Sequence, residues 1–273
     1  MTPTQAHKWT DRELKTLERR IKAEYTKAYK EMFDDMAAIM AKIETTPDMP
    51  LQKKMVQLRK YDRLKKMTEQ LATILQDATK TAESYISGSA VNVYRNNYNA
   101  SAEDLEFSLI DNTAVKKILT KEVNPFLKLS MQGVADKIAL KRKLESEIIT
   151  AILKGESIPK MSARLKQVAE LSLRNTVRIA RTETTRIENA ARNEIGAEGK
   201  KMGFEMWKRW ISTDDDRTRP EHLDADRMEV PYDEPFEVGG EQLMYPGDIS
   251  LGASAGNVIN CRCTMVTFIK SKN

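Results

Sequence analysis

The chain has 273 residues, 31% of them charged and 6% aromatic, with 45 Lys and Arg against 40 Asp and Glu. That length has room for two or three small domains, and the composition fits a helix-rich protein and argues against a large β enzyme. The run from Ile249 to Cys261 carries no charge but is too short and polar to span a membrane, and the opening MTPTQAHKWTDREL lacks the apolar segment of a signal peptide.

Asp11 is the expected N-cap of a long first helix. Leu14, Leu17, Ile21, Tyr25, Ala28, Met32, Met36, Ile39 and Ile43 recur in steps of three and four, which puts them on one face of a nearly straight helix. Thr45 to Pro50 breaks the pattern, because proline lacks an N–H and restricts the residue before it. Leu51, Met55, Leu58, Leu64, Met67, Leu71, Ile74 and Ala78 then mark a second helix, antiparallel to the first. Each helix would extend roughly 50 Å. The Met-bearing face suits an adaptable core or a docking surface.

A break is expected at Ser87-Gly88-Ser89, and a loop through YRNNYN ending in a Ser101-x-x-Asp104 helix start. Asn112 is the expected cap of a short helix closed by Asn124-Pro125. Helix resumes near Ser130, with Leu140, Leu144, Ile148, Ile152 and Leu153 as its stripe and Gly155 as its stop. A helix from Ser157 (Met161, Leu165, Val168) and another from Ser172 to about Lys200 follow. Gly196, Gly199 and Gly203 are expected to fray the latter.

Beyond Gly203 the period changes from helical to alternating. Phe204 to Trp210, Val230 to Tyr232 and Met265 to Ile269 read as strands, and Val238-Gly239-Gly240-Glu241 as a hairpin turn. The fold class is therefore mostly α with a small C-terminal α+β module: a long N-terminal antiparallel helical hairpin (1–86), a helical middle (87–144) and a C-terminal domain (145–273). The β-rich end of that domain, 204–270, forms a short sheet packed on the last long helix.

The scarce chemistry-bearing residues gather in the same end. Two cysteines one residue apart make a poor disulfide framework and point to a reducing cytosol. On an extended strand, Cys261 and Cys263 present both thiols to one face. With His222 and the carboxylate of Asp226 they could supply four ligands of a Zn²⁺ site. Three other readings stand beside that one: a thiol activated by His222, for which no orienting partner can be named; an acidic metal loop at Asp214 to Arg219, which lacks the alternation of a calcium loop; and a packing cluster that pins the last strand to the loop before it. Asp215 beside Arg217 and Arg219 suits bidentate ion pairs. Arg181, Thr182, Glu183 and Arg186 are polar residues on a helix, expected to dock the β module. No phosphate-cradling glycine loop, nucleophile elbow or helical HExxH occurs.

Charge divides the chain as well. Residues 211–260 hold twelve Asp and Glu against three Arg, a net −9, which leaves +14 on the remainder. Solvated helix faces alone would account for this balance; the alternative is that the basic part touches polyanion.

Several ordered motifs then coincide. IARTETTRIENAARN (179–193), KRWISTDDDRTRPEH (208–222), GGEQLMYPGD and the terminal NVINCRC together resemble the Mu protein F-like phage head morphogenesis family. The resemblance covers about residues 145–268. It rests most specifically on Arg181-Thr182-Glu183, on Asp215, Arg217, Thr218, Arg219 and His222, on Ala225-Asp226, and on Asn260-Cys261-Arg262-Cys263. Where the family has Ala-Asp-Gly, this chain has Ala225-Asp226-Arg227, so the turn there is expected to differ.

The resemblance implies a non-enzymatic minor capsid protein of a tailed phage. Its partners would be the portal protein, scaffold or major capsid protein, and double-stranded DNA bound non-specifically, with no membrane. It would act in head assembly and in DNA packaging or ejection, residing in the host cytoplasm during assembly and then in the virion, at the head interior or portal vertex. Some relatives carry a toxin domain beyond the NCRC strand; the ten residues after Cys263 lead us to expect none here. The alternative is a metal-dependent hydrolase or nuclease built on His222, Asp226, Cys261 and Cys263.

Overall fold

The computed structural model describes residues 1–44, 63–122, 127 and 131–270. Five helices come first: α1 (Pro3–Glu44), α2 (Arg63–Asp104), α3 (Asn112–Glu122), α4 (Lys137–Leu153) and α5 (Ile158–Lys201). A small β-rich part follows: β1 (Met206–Ile211), α6 (Pro220–Asp224), β2 (Glu229–Pro231), β3 (Phe236–Val238), β4 (Glu241–Leu243), α7 (Ala255–Val258) and β5 (Thr264–Ile269). The mostly helical class with a small C-terminal sheet is thus as expected. Among the described residues no helix is long and apolar enough to cross a membrane.

The chain forms two compact units whose membership cuts across the three segments read from the sequence. One comprises Met1–Glu18, Ile86–Lys128 and Arg178–Asn273, the other Arg19–Tyr85 and Leu129–Val177.

In the second unit the predicted stripes meet, except that in α2 Leu75 is buried where Ile74 was expected. Ile21, Tyr25, Ala28, Met32 and Met36 of α1 are buried, as are Met67, Leu71 and Leu75 of α2, Leu140, Leu144 and Ile148 of α4, and Met161, Leu165 and Val168 of α5. The Tyr25 hydroxyl ties three helices together, lying 2.7 Å from Thr79 Oγ1 and 2.8 Å from Thr176 Oγ1. Arg20 lies over the Tyr85 ring and Tyr25 meets Thr79, so α1 and α2 run antiparallel here. In the first unit Thr10 meets Asn97 and Glu13 meets Ser89, the same sense. The connection expected over Thr45–Pro50, with Leu51, Met55 and Leu58, lies outside the described residues, as does Asn124-Pro125.

Several boundaries differ from expectation, each for a local reason. Helix α1 begins at Pro3, well before Asp11, because Pro suits the first helical position. Helix α2 runs straight through Ser87-Gly88-Ser89 and YRNNYN and ends at Asp104, where a start was expected. The residues that look loop-like there are tertiary anchors. Asn97 is buried and donates to Val93 O and Thr10 Oγ1, while Asn99 bonds both the N–H and the C=O of Ile110. Tertiary contacts override the low helix propensity of Asn.

Asp111 caps α3 instead of Asn112, its Oδ1 accepting from Thr113 and Ala114 N–H at 2.8 Å. Asp136 caps α4 in the same way, with Ser130 outside the described residues and Leu153 exposed. Gly155 does stop α4: its φ is 62°, and the Gly155 and Glu156 N–H groups bond Ile152 O and Ala151 O. The two helices read after Ser157 are one continuous α5. Gly196 and Gly199 do not fray it. A Cβ at Gly196 would overlap the Tyr232 ring, and one at Gly199 the Met206 thioether. At both glycines the β module packs directly on the helix.

The sheet is antiparallel, in the order β2-β1-β5, with Trp210 opposite Met265 and Arg209 opposite Glu229. Strands β3 and β4 form a separate hairpin across Gly239 (φ 60°) and Gly240 (φ 75°), the expected turn with two left-handed residues. Trp210, Phe236, Val238, Leu243, Val258 and Met265 form the module's core, and both cysteines belong to it.

Candidate functional site

Strand β5 lies at the sheet edge, so alternate backbone groups face away from β1 and need partners. The polar residues of α5 supply them. Thr182 Oγ1 accepts from Asn260 N–H (3.1 Å), and Thr185 Oγ1 donates to Cys261 O (2.6 Å). Asn189 donates to Cys263 O (3.1 Å) and accepts from Met265 N–H (2.9 Å). Arg192 donates to Met265 O (2.8 Å), and Thr267 Oγ1 donates back to Arg192 O (3.0 Å). Spacings of three and four residues put 182, 185, 189 and 192 on one helical stripe. The helix face thus takes the place of a missing strand.

The other motif residues complete the lock. Arg181 makes a bidentate pair with Glu18 of α1 (2.6 and 3.1 Å), and Glu183 pairs with Arg186 inside the unit. Gly247 packs on the Arg186 backbone, where a Cβ would come within 3.3 Å of Arg186 Cα. Asp215 accepts from both terminal nitrogens of Arg262 at 2.5 Å and from Arg217 N–H at 3.0 Å. The Arg262 guanidinium holds its carboxyl far below the usual carboxylate range. Arg219 donates to Ile259 O and Thr213 to Arg262 O. Of the α5 residues expected to dock the β module, Thr182 bonds it through its side chain, while Arg181 pairs with Glu18 of α1 and Glu183 with Arg186. Thr185, Asn189 and Arg192 make the other α5 contacts, and Asp215 and Arg219 tie the segment before β5 to the loop after β1.

Behind this lock stands a buried network. His7 Nδ1 lies 2.7 Å from Glu188 Oε1, Glu188 pairs with Arg192 (3.1 Å), and Arg192 donates to Asn97 Oδ1 and Pro3 O. Burial pulls the His7 pKa down, but the hydrogen bond and charge of Glu188 outweigh it and leave it raised. Lys208 is also fully buried on the core face of β1. Its ammonium donates to Met244 O (2.8 Å), and burial pushes its pKa down to about 8.

His222, Cys261 and Cys263 do converge. Helix α6 delivers the histidine, and the stretch leading into β5 delivers both thiols, with Arg262 between them turned outward to Asp215. His222 Nδ1 is 3.4 Å from Cys263 Sγ and 3.6 Å from Cys261 Sγ, and the ligand atoms lie within 4.8 Å of one another. All three side chains are buried.

Asp226 is not among them. Its Oδ1 accepts from Ser212 N–H at 2.8 Å, so it fixes the turn beside β1. In its place the structure supplies Asn257, the first residue of the NVINCRC motif, for which the sequence suggested no role. Asn257 Oδ1 sits 2.7 Å from His222 Nε2, while its amide donates to Val238 O and Glu241 Oε2. The Cys261 S–H bond to Cys263, together with His222 and the Thr213 N–H, lowers the Cys263 pKa despite burial; the same coupling and burial raise that of Cys261. Cys263, His222 and Asn257 thus have the order of a thiol–imidazole–amide catalytic set. Cys263 is only 2% exposed, however, which leaves its sulfur no approach for a substrate. A cleft of about 300 Å³ is lined by Arg219, Glu221, Glu241 and Asn257, the last of which bonds the histidine.

Comparison with known proteins adds three kinds of finding. Residues 142–266 match the family described as Phage Mu protein F like protein. The chain is 30% identical over 130 residues to an NAD(+)--arginine ADP-ribosyltransferase, EFV, of Enterococcus faecalis, covering 48% of this chain and 26% of that protein. It is 26% identical over 219 residues to the minor head protein GP7 of Bacillus phage SPP1 (77% and 70%), and 25% identical over 173 residues to the uncharacterized protein YqbB of Bacillus subtilis (62% and 53%). No solved structure gives a significant match.

Proposed function

Through residues 142–266 the chain belongs to the phage head morphogenesis family of Mu protein F-like proteins, and from that premise we propose that it is a non-enzymatic minor structural protein of a tailed-phage head. It docks on the portal, takes part in head assembly with scaffold or major capsid protein, and contacts double-stranded DNA during packaging or ejection. It passes from the host cytoplasm into the virion at the head interior or portal vertex.

One observation carries the non-enzymatic part of this reading. The family motif residues are engaged in structural contacts: Thr182 and Asn260 join α5 to the segment before β5, Asp215 and Arg219 join that segment to the loop after β1, Arg181 pairs with Glu18 of α1 and Glu183 with Arg186. They converge on a scaffold contact. The minor head protein of phage SPP1 aligns over 77% of this chain, beyond the β module and into the helices, which supports the helical part as a shared working portion. The transferase activity in the name of the Enterococcus faecalis relative belongs to a protein of which this chain spans 26%, and we do not carry it over.

Co-purification tests the assignment. Tagged chain expressed during phage growth is expected to appear in proheads and virions, and to retain the portal protein on an affinity column. Its absence from both particles would overturn the head role; presence in particles without portal retention would overturn the portal contact alone.

A further inference from the structure

We propose that His222 Nδ1, Cys261 Sγ and Cys263 Sγ form a soft divalent-cation site that takes Zn²⁺, with Asn257 as the positioning residue that fixes the histidine's tautomer.

Geometry comes first. Zn–N near 2.0 Å and Zn–S near 2.3 Å set a tetrahedral N···S edge of about 3.5 Å. The two N···S separations here are 3.4 and 3.6 Å. The same separations suit S–H···N hydrogen bonds, so the metal-free cluster already holds its three donor atoms at ligand spacing.

The second observation is the direction of the imidazole lone pair. The Asn257 amide nitrogen donates to Val238 O (2.9 Å) and to Glu241 Oε2 (3.0 Å), so its orientation is set and Oδ1 faces His222. That oxygen can only accept, so His222 Nε2 carries the proton that points to it. In the neutral ring Nδ1 is then unprotonated, and its lone pair is free for an ion held with the two sulfurs 3.4 and 3.6 Å away. Metal-ligating histidines characteristically donate their other ring N–H to a carbonyl or carboxylate in this way. The Glu241 carboxylate behind Asn257 extends the chain of hydrogen bonds.

The donor set also decides the metal. Two thiolates and one imidazole select zinc over oxygen-seeking magnesium or calcium. Uptake releases the thiol protons to solvent, and the ion enters as the module folds around it. Three protein ligands leave a fourth position for a water molecule. Asp226, occupied with Ser212 N–H, is not a ligand. The site joins α6, the segment before β5 and, through Asn257, the β3–β4 hairpin, so the ion would staple the three loops of the module. This inference concerns the module's stability and stands or falls independently of the head-protein reading.

The test uses the full chain. Wild-type protein purified without chelator is expected to hold about one Zn²⁺ per chain by elemental analysis. Cobalt(II) added to the metal-free chain should give sulfur-to-cobalt charge-transfer absorption and the intense visible bands of a tetrahedral site. Asp226→Asn should bind as wild type, Cys261→Ser and Cys263→Ser should lose the band, and Asn257→Ala should weaken affinity about 10- to 100-fold. Should the cysteine variants misfold, protection of the wild-type thiols from alkylation by added Zn²⁺ serves in their place. A folded wild-type chain, its helicity intact by circular dichroism, with neither metal nor charge-transfer band, would overturn the site. Loss of the band in Asp226→Asn would overturn the three-ligand assignment.

Discussion

Arg227 holds a left-handed backbone, φ 62°, directly after Asp226, whose carboxylate receives the Ser212 N–H. A side chain with a Cβ in that region costs about 1–2 kcal/mol relative to its preferred conformation. The expectation from sequence was a different turn, because arginine stands where the family has glycine; instead the chain adopts a conformation that glycine would take without strain. The Arg227–Asp226 contact is 3.6 Å with the arginine largely exposed, so it offsets little of that cost. Arg227→Gly is therefore expected to stabilise the protein by about 0.5–1 kcal/mol, after the greater chain entropy of unfolded glycine is deducted; a lowered denaturation midpoint would contradict it. Asn260 makes the complementary case. Its φ is 56° and its N–H bonds Thr182, and asparagine is among the residues that tolerate this region best. Asn260→Gly should be nearly neutral, while Asn260→Val should cost about 1–2 kcal/mol in the same assay.

The contact of α5 with β5 explains a helix face that composition alone leaves puzzling. A run reading RTETTRIENAARN is too polar for a core helix, and its buried Thr185, Asn189 and Arg192 would be costly without partners. They are buried because an open strand edge needs donors and acceptors. Asn189→Ala strands Met265 N–H and Cys263 O together, and about 2–3 kcal/mol of lost stability is expected, with hydrogen exchange at the Met265 amide accelerated. Unchanged exchange would show that the edge finds other partners. The sequence pointed to this helix as the one that docks the module, but through Arg181, Thr182, Glu183 and Arg186; Thr185, Asn189 and Arg192 make most of the contacts with the segment around β5. It could not reveal which backbone groups they meet, nor that Asn97, read as loop, sits in α2 and accepts from Arg192, because these pairings span 73 to 95 residues of the chain. Asn257 likewise meets its partners only in the folded chain, His222 35 residues and Val238 19 residues away.

The His7–Glu188 pair adds pH dependence to the α1–α5 contact. The raised histidine contributes stability in full below its unfolded value of 6.5 and loses it as pH rises through its folded value. Burial of Glu188 is outweighed by His7 and Arg192, so its pKa is lowered; its contribution is present above 4.5 and fades as pH falls through the folded value. Stability should therefore peak between about pH 4.5 and 6.5. His7→Gln should flatten the alkaline limb and also weaken the acid one, because His7 is a main cause of the lowered Glu188 pKa, a pattern that denaturant titrations across pH can read directly.

Across the whole molecule, charge is distributed unevenly along the sequence: −9 over residues 211–260 and +14 over the rest. The acidic count is partly consumed internally, as Asp215 answers Arg262 and Glu241 answers Asn257. Some of the basic count is consumed too: Arg192 and Lys208 are buried, and Arg164 pairs with Glu147 and Glu156. What is left for a polyanion is a diffuse positive balance without a base-reading motif, and that chemistry fixes how the proposed DNA contact must behave. Each phosphate neutralised contributes about −0.9 to the slope of log K against log salt on duplex DNA. Four to six contacts, roughly what such a balance could supply, give a slope near −4 to −5 and an affinity that collapses well below physiological salt. Unrelated duplexes should compete equally, because phosphate contacts carry no sequence information. Binding that persists at high salt, or that one sequence competes for preferentially, would mean that apolar or base-edge contacts do the work, and the electrostatic reading of the helical part would fall with it.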